Sequence, residues 1–171
     1  MAAPTHEWTV AGAVVEQAEG LLLVHNRRRN GSCDWSTPGG VIDAEDATIV
    51  SGLAREVEEE TGLRVTAWEG PLYSVTVAAL DLGWVMRCEV HRAVTFEGSL
   101  LVEDPDGIVF DAAFLEPREV EHRLAGCFPW VAEPLAAWLD GRWSSADPRA
   151  FRYDVRGSTL DTLEVVRAGA E

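Results

Sequence analysis

Arg55-Glu56-Val57-Glu58-Glu59-Glu60-Thr61-Gly62-Leu63, with Pro38-Gly39-Gly40 a short way upstream, decides the reading of this 171-residue chain. With Glu56 at the origin and a turn of about 100° per residue, Glu59 falls at about −60° and Glu60 at about +40°, so three carboxylates share one helical stripe. Val50, Leu53, Ala54 and Val57 fill the adjoining arc, which sets a packing face beside a face of oxygens. Like charges at i,i+3 and i,i+4 each cost a helix roughly 0.2–0.5 kcal/mol, so such crowding is a poor way to stabilise a surface. A hard divalent cation cancels the repulsion. Mg²⁺ suits it, because it takes a few carboxylates, keeps some waters and completes its octahedron with phosphate oxygens. Glu58 lies about 200° from Glu56 and is expected in solvent.

The stretch resembles the Nudix box of the Nudix hydrolases, whose pattern is Gly, five residues, Glu, seven residues, then Arg-Glu-aliphatic-x-Glu-Glu-x-Gly-aliphatic. Arg55 through Leu63 match at all seven specified positions of nine. Upstream, fourteen residues separate Gly40 from Arg55 where the family has thirteen, and Ala47 stands at the position of the family's first Glu, with Glu45 and Asp46 beside it. In the family that Glu braces the loop against the box arginine, so the departure bears on the bracing of Arg55 more than on the chemistry.

The resemblance implies an α/β (α+β) Nudix fold, mixed β-sheets sandwiched between helices. It also implies a MutT-like, metal-dependent pyrophosphohydrolase that cleaves a nucleoside diphosphate linked to another moiety by attack of water on phosphorus. Glu56, Glu59, Glu60 and the Gly40 carbonyl would hold Mg²⁺, with Mn²⁺ an alternative. Arg55, Glu56 and Glu59 form the catalytic group, and related enzymes often add a loop carboxylate as ligand or base. Glu103 is ranked first for that role by residue type, ahead of Asp104, Asp106 and Asp111. Arg27 and Arg28 are candidates for the substrate phosphates, and Tyr73 and Trp84, with Trp8, for stacking on a base. Nucleoside triphosphates, oxidised ones, ADP-ribose and sugar nucleotides all remain open as substrates. The reading from another class is a non-catalytic Nudix-like domain that senses a nucleotide, but such regulators generally have broken box carboxylates.

Composition agrees with an enzyme domain. The length suits one sizeable core, and 47% hydrophobic with 25% charged residues is ordinary globular usage. A formal net charge of −15 argues against nucleic acid as partner, since that binding draws on arrays of Lys and Arg. A small-molecule nucleotide is the expected partner, its phosphates approached through metal. Cys33, Cys88 and Cys127 are an odd, scattered set that fits reduced thiols in the cytoplasm. No export leader or membrane-spanning run is read from the sequence.

Along the chain, Trp8 to Val15 and Leu21 to Val24 read as a hairpin around Ala18-Glu19-Gly20, followed by the polar loop His25 to Gly31. The box helix starts near Asp46 to Thr48 and stops at Gly62, with Gly52 inside it either to leave space for a close ligand or neighbouring backbone or as a plainly tolerated glycine. Leu72 to Leu80, Trp84 to Ala93 and Val109 to Leu115 read as strands, and Pro117 to Leu124 and Val131 to Leu139 as helices. The expected organisation is a Nudix hydrolase domain over 1–143 and an extension over 144–171. Alternating Phe151, Tyr153 and Val155, a turn at Arg156-Gly157-Ser158 and a return over Leu160 to Val166 make that extension a β-hairpin. An isolated hairpin is marginal in water, so it should pack on the same domain or on the partner in a homodimer.

Overall fold

The computed structural model describes residues 4–18, 20–159 and 162–169; Glu19 in the first expected turn, and Leu160 and Asp161 in the returning tail strand, lie outside them. Strands β1 (His6–Val14), β5 (Gly39–Val41), β6 (Arg64–Ala79), β7 (Trp84–Glu97), β9 (Arg149–Arg156) and β10 (Glu164–Arg167) build a six-stranded sheet in the order β10-β9-β6-β7-β1-β5. It is mixed: β1 runs parallel to β7 and β9 parallel to β6, while the other pairs are antiparallel. A second sheet sets β3 (Gly20–Arg27) between β8 (Val109–Leu115) on one side and β2 (Glu16–Gln17) with β4 (Cys33–Ser36) on the other.

The expected hairpin between the first two apolar runs does not form. β1 pairs with β5 and β7 in the large sheet, and β3 pairs in the small one, so the chain changes sheets at Val15. What remains of the hairpin is the short pairing of Glu16 and Gln17 with Leu21 and Gly20. The cause is burial on both faces. Ala11, Ala13 and Val15 pack on one side and Val14 on the other, so β1 sits inside the large sheet with both faces covered, where pairing with the two-residue stub at Glu16 would not put it.

Helices sandwich the large sheet. On one face α1 (Ile49–Thr61) inserts Leu53 and Val57, both fully buried, among Ala11, Ala13, Leu22 and Val65. On the other, α2 (Pro117–Leu124) contributes Val120 and Leu124, and α3 (Pro129–Gly141) contributes Leu135 and Trp138, to a cluster floored by Val75, Val77 and Tyr153. Local chemistry sets the ends of α1. The Thr48 hydroxyl accepts the Ser51 N–H at 3.0 Å while Ser51 Oγ accepts the Thr48 N–H at 2.9 Å, and Gly62 closes the helix in the left-handed region at φ 73°.

The tail packs on its own chain. β9 lies beside β6, with Phe151 level with Val75 and Tyr153 level with Val77, and the Tyr73 ring meets Phe151 edge-on at 5.9 Å. Phe151, Tyr153 and Val155 are all buried, so the apolar face that motivated the dimer expectation is already covered.

Candidate active site

A cleft of about 810 Å³ runs along the apolar face of the large sheet beneath the start of α3 and reaches the carboxylate edge of α1. At that edge it is lined by Gly39, Gly40, Arg55, Glu56, Glu59 and Glu60, with Asp104 and Asp106 contributed by the loop before β8. The register of α1 follows from its apolar stripe, which turns the three box carboxylates toward β5. Glu58 points away and is exposed.

Close approach is what the glycines provide. A Cβ at Gly40 would collide with the Glu56 carboxylate, so the bare backbone lets β5 and α1 meet there. The Gly39 N–H donates to Glu60 Oε2 at 2.8 Å, and Glu60 is only 7% exposed. Burial pushes the Glu60 carboxyl up to about 8 against the pull of the Gly39 N–H, with the charges of Glu56 and Asp104 adding to the rise. Glu56 is raised as well, again first by burial, and is pulled back by Arg55.

Arg55 ties the helix to the loop. Its Nη1 donates to Glu56 Oε1 at 2.7 Å and to Glu59 Oε2 at 3.1 Å. Its other side forks onto Asp46, Nε to Oδ1 at 3.3 Å and Nη2 to Oδ2 at 3.0 Å, and Nη2 also reaches Asp43 Oδ2 at 3.2 Å. Asp46 therefore holds Arg55 from the position before Ala47, and Arg55 holds its carboxyl below the usual range. The shift to Asp46 needs Gly52, where a Cβ would stand 2.6 Å from Asp46 Oδ2. Of the two readings left open for the helix-interior glycine, the structure has a close neighbour there, the Asp46 carboxylate.

Among the described residues, no three His, Cys, Asp or Glu side chains are drawn together tightly enough to cage a metal as they stand, because Arg55 occupies the space between Glu56 and Glu59. The donor set nevertheless fits a hard cation. Glu60 is a buried carboxylate with one backbone N–H for a partner and acids for neighbours, the environment in which positive charge is most stabilising. Glu59 is part-exposed, with one oxygen on Arg55 and the other without a partner among the described residues.

The other candidates divide. Glu103 is exposed and lies outside the lining of the cleft. Asp104 lines it but is committed, its oxygens accepting the N–H groups of Asp106, Ile108 and Val109. Asp106 lines it with an exposed side chain, and its charge bears on Glu56. Asp111 accepts the Ala112 N–H and is not part of the lining. Arg28 borders the cleft with its guanidinium forked on Asp34 at 2.7 Å twice, whereas Arg27 lies over the Phe110 ring at 5.0 Å, outside it. Trp84 packs on Trp8 at 5.6 Å beyond the end of the cleft. Tyr73 lines it, 3% exposed. Sequence reading missed the apolar far end, where Val75, Met86 and Cys88 rise from the sheet and Trp130 and Leu135 descend from α3.

Comparison with known proteins agrees with this fold. The family model of the NUDIX domain matches residues 6–139. A MutT-like protein of Streptomyces ambofaciens is 37% identical over 152 residues, covering 88% of this chain and 86% of its own length. The phosphatase NudJ of Escherichia coli is 44% identical over 54 residues, which span 32% of this chain and 35% of that protein. Among solved structures, the MutT protein of Bacillus halodurans superposes with a TM-score of 0.64 at 21% identity, covering 94% of this chain and 97% of that one. An ADP-ribose pyrophosphatase of Streptococcus suis superposes with a TM-score of 0.54 at 22% identity, covering 84% and 98%.

Proposed function

The chain belongs to the Nudix family and is a Nudix hydrolase acting on phosphoric anhydride bonds; from that premise we propose that it is a metal-dependent pyrophosphohydrolase for a nucleoside diphosphate derivative, working in the cytoplasm. The observation that carries this reading is that Glu56, Glu59 and Glu60 line one end of a cleft large enough for a nucleotide, with Glu56 against the bare backbone of Gly40 and Glu60 on the Gly39 N–H.

Glu56, Glu59 and Glu60, with the Gly40 carbonyl, would hold Mg²⁺ or Mn²⁺. When bound, the cation neutralises phosphate oxygens and lowers the pKa of an attacking water. The protein's own part is positioning. Arg55 fixes the Glu56 and Glu59 carboxylates from one side, and Asp46 fixes Arg55 from the other. Arg28 is placed to take a substrate phosphate by exchanging its Asp34 partner for a phosphate oxygen, since a guanidinium fork suits both. Asp106 takes the role first given to Glu103. It is the loop acid with a free carboxylate on the cleft, and it would accept the proton of the attacking water.

The test is phosphate or nucleotide release from a panel of nucleoside triphosphates, an oxidised triphosphate, ADP-ribose and sugar nucleotides, with Mg²⁺ and then with EDTA. Turnover that needs Mg²⁺ and falls by orders of magnitude in Glu59→Gln is the expected result. Release that survives EDTA, or Glu59→Gln as active as the parent at saturating Mg²⁺, would overturn it.

A further inference from the structure

Among the described residues, the aromatic rings that line the cleft are those of Trp35, Tyr73, Phe128 and Trp130. Two of them are occupied by the protein itself. The Tyr73 ring is buried against Phe151, and the Trp35 ring has His25 stacked on it at 4.4 Å and the Arg123 guanidinium over it at 5.0 Å. The other two form a pair. Phe128 and Trp130 stack with centroids 4.3 Å apart and planes 6° from parallel; Trp130 packs against the core, whereas Phe128 is 48% exposed. An aromatic ring left half in water on the wall of a cleft is apolar surface that a ligand can cover.

Local chemistry holds that ring in place. Pro129 disfavours the helical region for the residue before it, so Phe128 stays extended at φ −59° and ψ 145° while α3 starts behind it. Its carbonyl accepts the Val131 N–H at 2.9 Å and the Ala132 N–H at 3.1 Å. One residue earlier, the Cys127 thiol donates to the Trp35 carbonyl at 3.0 Å and so moors the start of α3 to β4. β4 also carries Asp34, on which Arg28 is forked. Burial pushes the Cys127 thiol up, and the charges of Asp34 and Arg28 reach it; that of Arg28 also reaches Glu60. Arg28 is therefore near both the box carboxylates and the segment that carries Phe128.

Resting on the reading of this cleft as the catalytic one, we propose that Phe128, backed by Trp130, is the stacking platform for the aromatic base of the nucleoside diphosphate substrate. It takes the role first given to Tyr73 and Trp84. With the diphosphate held at Arg28, the nucleoside it carries has the Phe128 ring on the wall of the same cleft. The pair is stacked before any ligand arrives, so little ordering is left to oppose binding. Stacking reads the flat face of a base and tolerates its edge, so the platform favours a diphosphate that carries a base over one that carries only a sugar or an alkyl group.

The experiment is calorimetric titration in Mg²⁺ of the parent protein, Phe128→Leu and Phe128→Trp. The probes are the α,β-methylene analogue of adenosine diphosphate, which cannot be cleaved between its phosphorus atoms, and the same molecule without its base, ribose 5-(α,β-methylene)diphosphate. The parent is expected to bind the base-bearing probe about 5- to 30-fold more tightly, the lower part of the range for one base on one aromatic side chain. Phe128→Leu should erase most of that advantage and leave the affinity of the baseless probe within about twofold, because the half-exposed ring is not part of the core. Phe128→Trp should keep the advantage. Equal affinities in the parent, an advantage that survives in Phe128→Leu, or no binding of either probe overturns the proposal. So does an equal loss of both probes in Phe128→Leu, which would make the ring a support for the start of α3. Hydrolysis is read separately: base binding that depends on Phe128, without turnover of any nucleotide, sinks the hydrolase reading and leaves this one standing, and turnover with no preference for a base does the reverse.

Discussion

Replacing Glu60 with Gln should make the metal-free protein more stable and abolish its activity. Burial raises the Glu60 carboxyl from 4.5 to about 8. Between those two values the folded protein keeps a proton that the unfolded chain has released, so stability falls as pH rises, by at most about 1.4 kcal/mol per unit. From about pH 5 to about pH 7 the ceiling is therefore about 3 kcal/mol, and above the folded value the loss levels off. Gln keeps the shape, can still accept the Gly39 N–H, and carries no charge to bury. The two proteins should match near pH 5 in EDTA, and the Gln variant should lead by about 2–3 kcal/mol at pH 7, some 4–12 °C in melting temperature for a domain of this size. Urea denaturation across that range measures it, and other titrating groups cancel in the difference. Saturating Mg²⁺ should restore the parent and do little for the variant. Stability curves that run parallel from pH 5 to 8 would refute the reasoning, since they would mean that the buried carboxylate costs nothing to ionise.

Glu58→Gln, on the exposed side of α1, should leave kcat within about twofold, in contrast to Glu59→Gln; steady-state kinetics of the pair separates charge at the site from charge on the helix. Asp46→Ala should lower kcat by about 10- to 100-fold with a smaller change in KM, because it frees Arg55 from the loop. Gly52→Ala should do the same by pushing the Asp46 oxygen away, and an undiminished kcat in both variants would remove Asp46 as the brace. Truncation after Trp143 removes Phe151, Tyr153 and Val155, all buried. At about 1.5–3 kcal/mol each, their loss alone rivals the usual net stability of a domain, so circular dichroism should report a chain that no longer melts cooperatively.

The helix and its carboxylates were legible because they depend on local spacing. Apolar Leu53 and Val57, the Thr48 cap and the Gly62 stop set a register that tertiary packing had no reason to overrule. Pairing was less so. Nothing local to Trp8 or Leu21 tells β1 to zip in parallel with a strand from residue 84 onward instead of folding back on its neighbour; that choice belongs to burial on both faces of the sheet. The brace on Arg55 was half legible. Asp46 was in view, but its use depends on a void at Gly52 that is visible only once helix and loop are together. Among the loop acids, residue type favoured Glu103, whereas position in the fold puts Asp104 and Asp106 on the cleft and Glu103 outside it, and the backbone N–H groups of the turn take the Asp104 oxygens.

The strand order has a consequence for synthesis. β9 is the inner neighbour of β6, so the floor under α3 is incomplete until residues near 155 have cleared the ribosome, while β1 waits for β7 before it gains its parallel partner. Such a wiring defers closure of the large sheet until β9 is available, and non-local pairing of this kind is intrinsically slow. In the interval the nascent chain exposes Val75, Val77 and Tyr73 on an unpaired edge of β6, a surface that binds chaperones or other nascent chains. Yield in cells should thus respond to chaperone supply and to the speed of the ribosome between the codons of β6 and those of β9, even for substitutions that leave the finished protein unchanged.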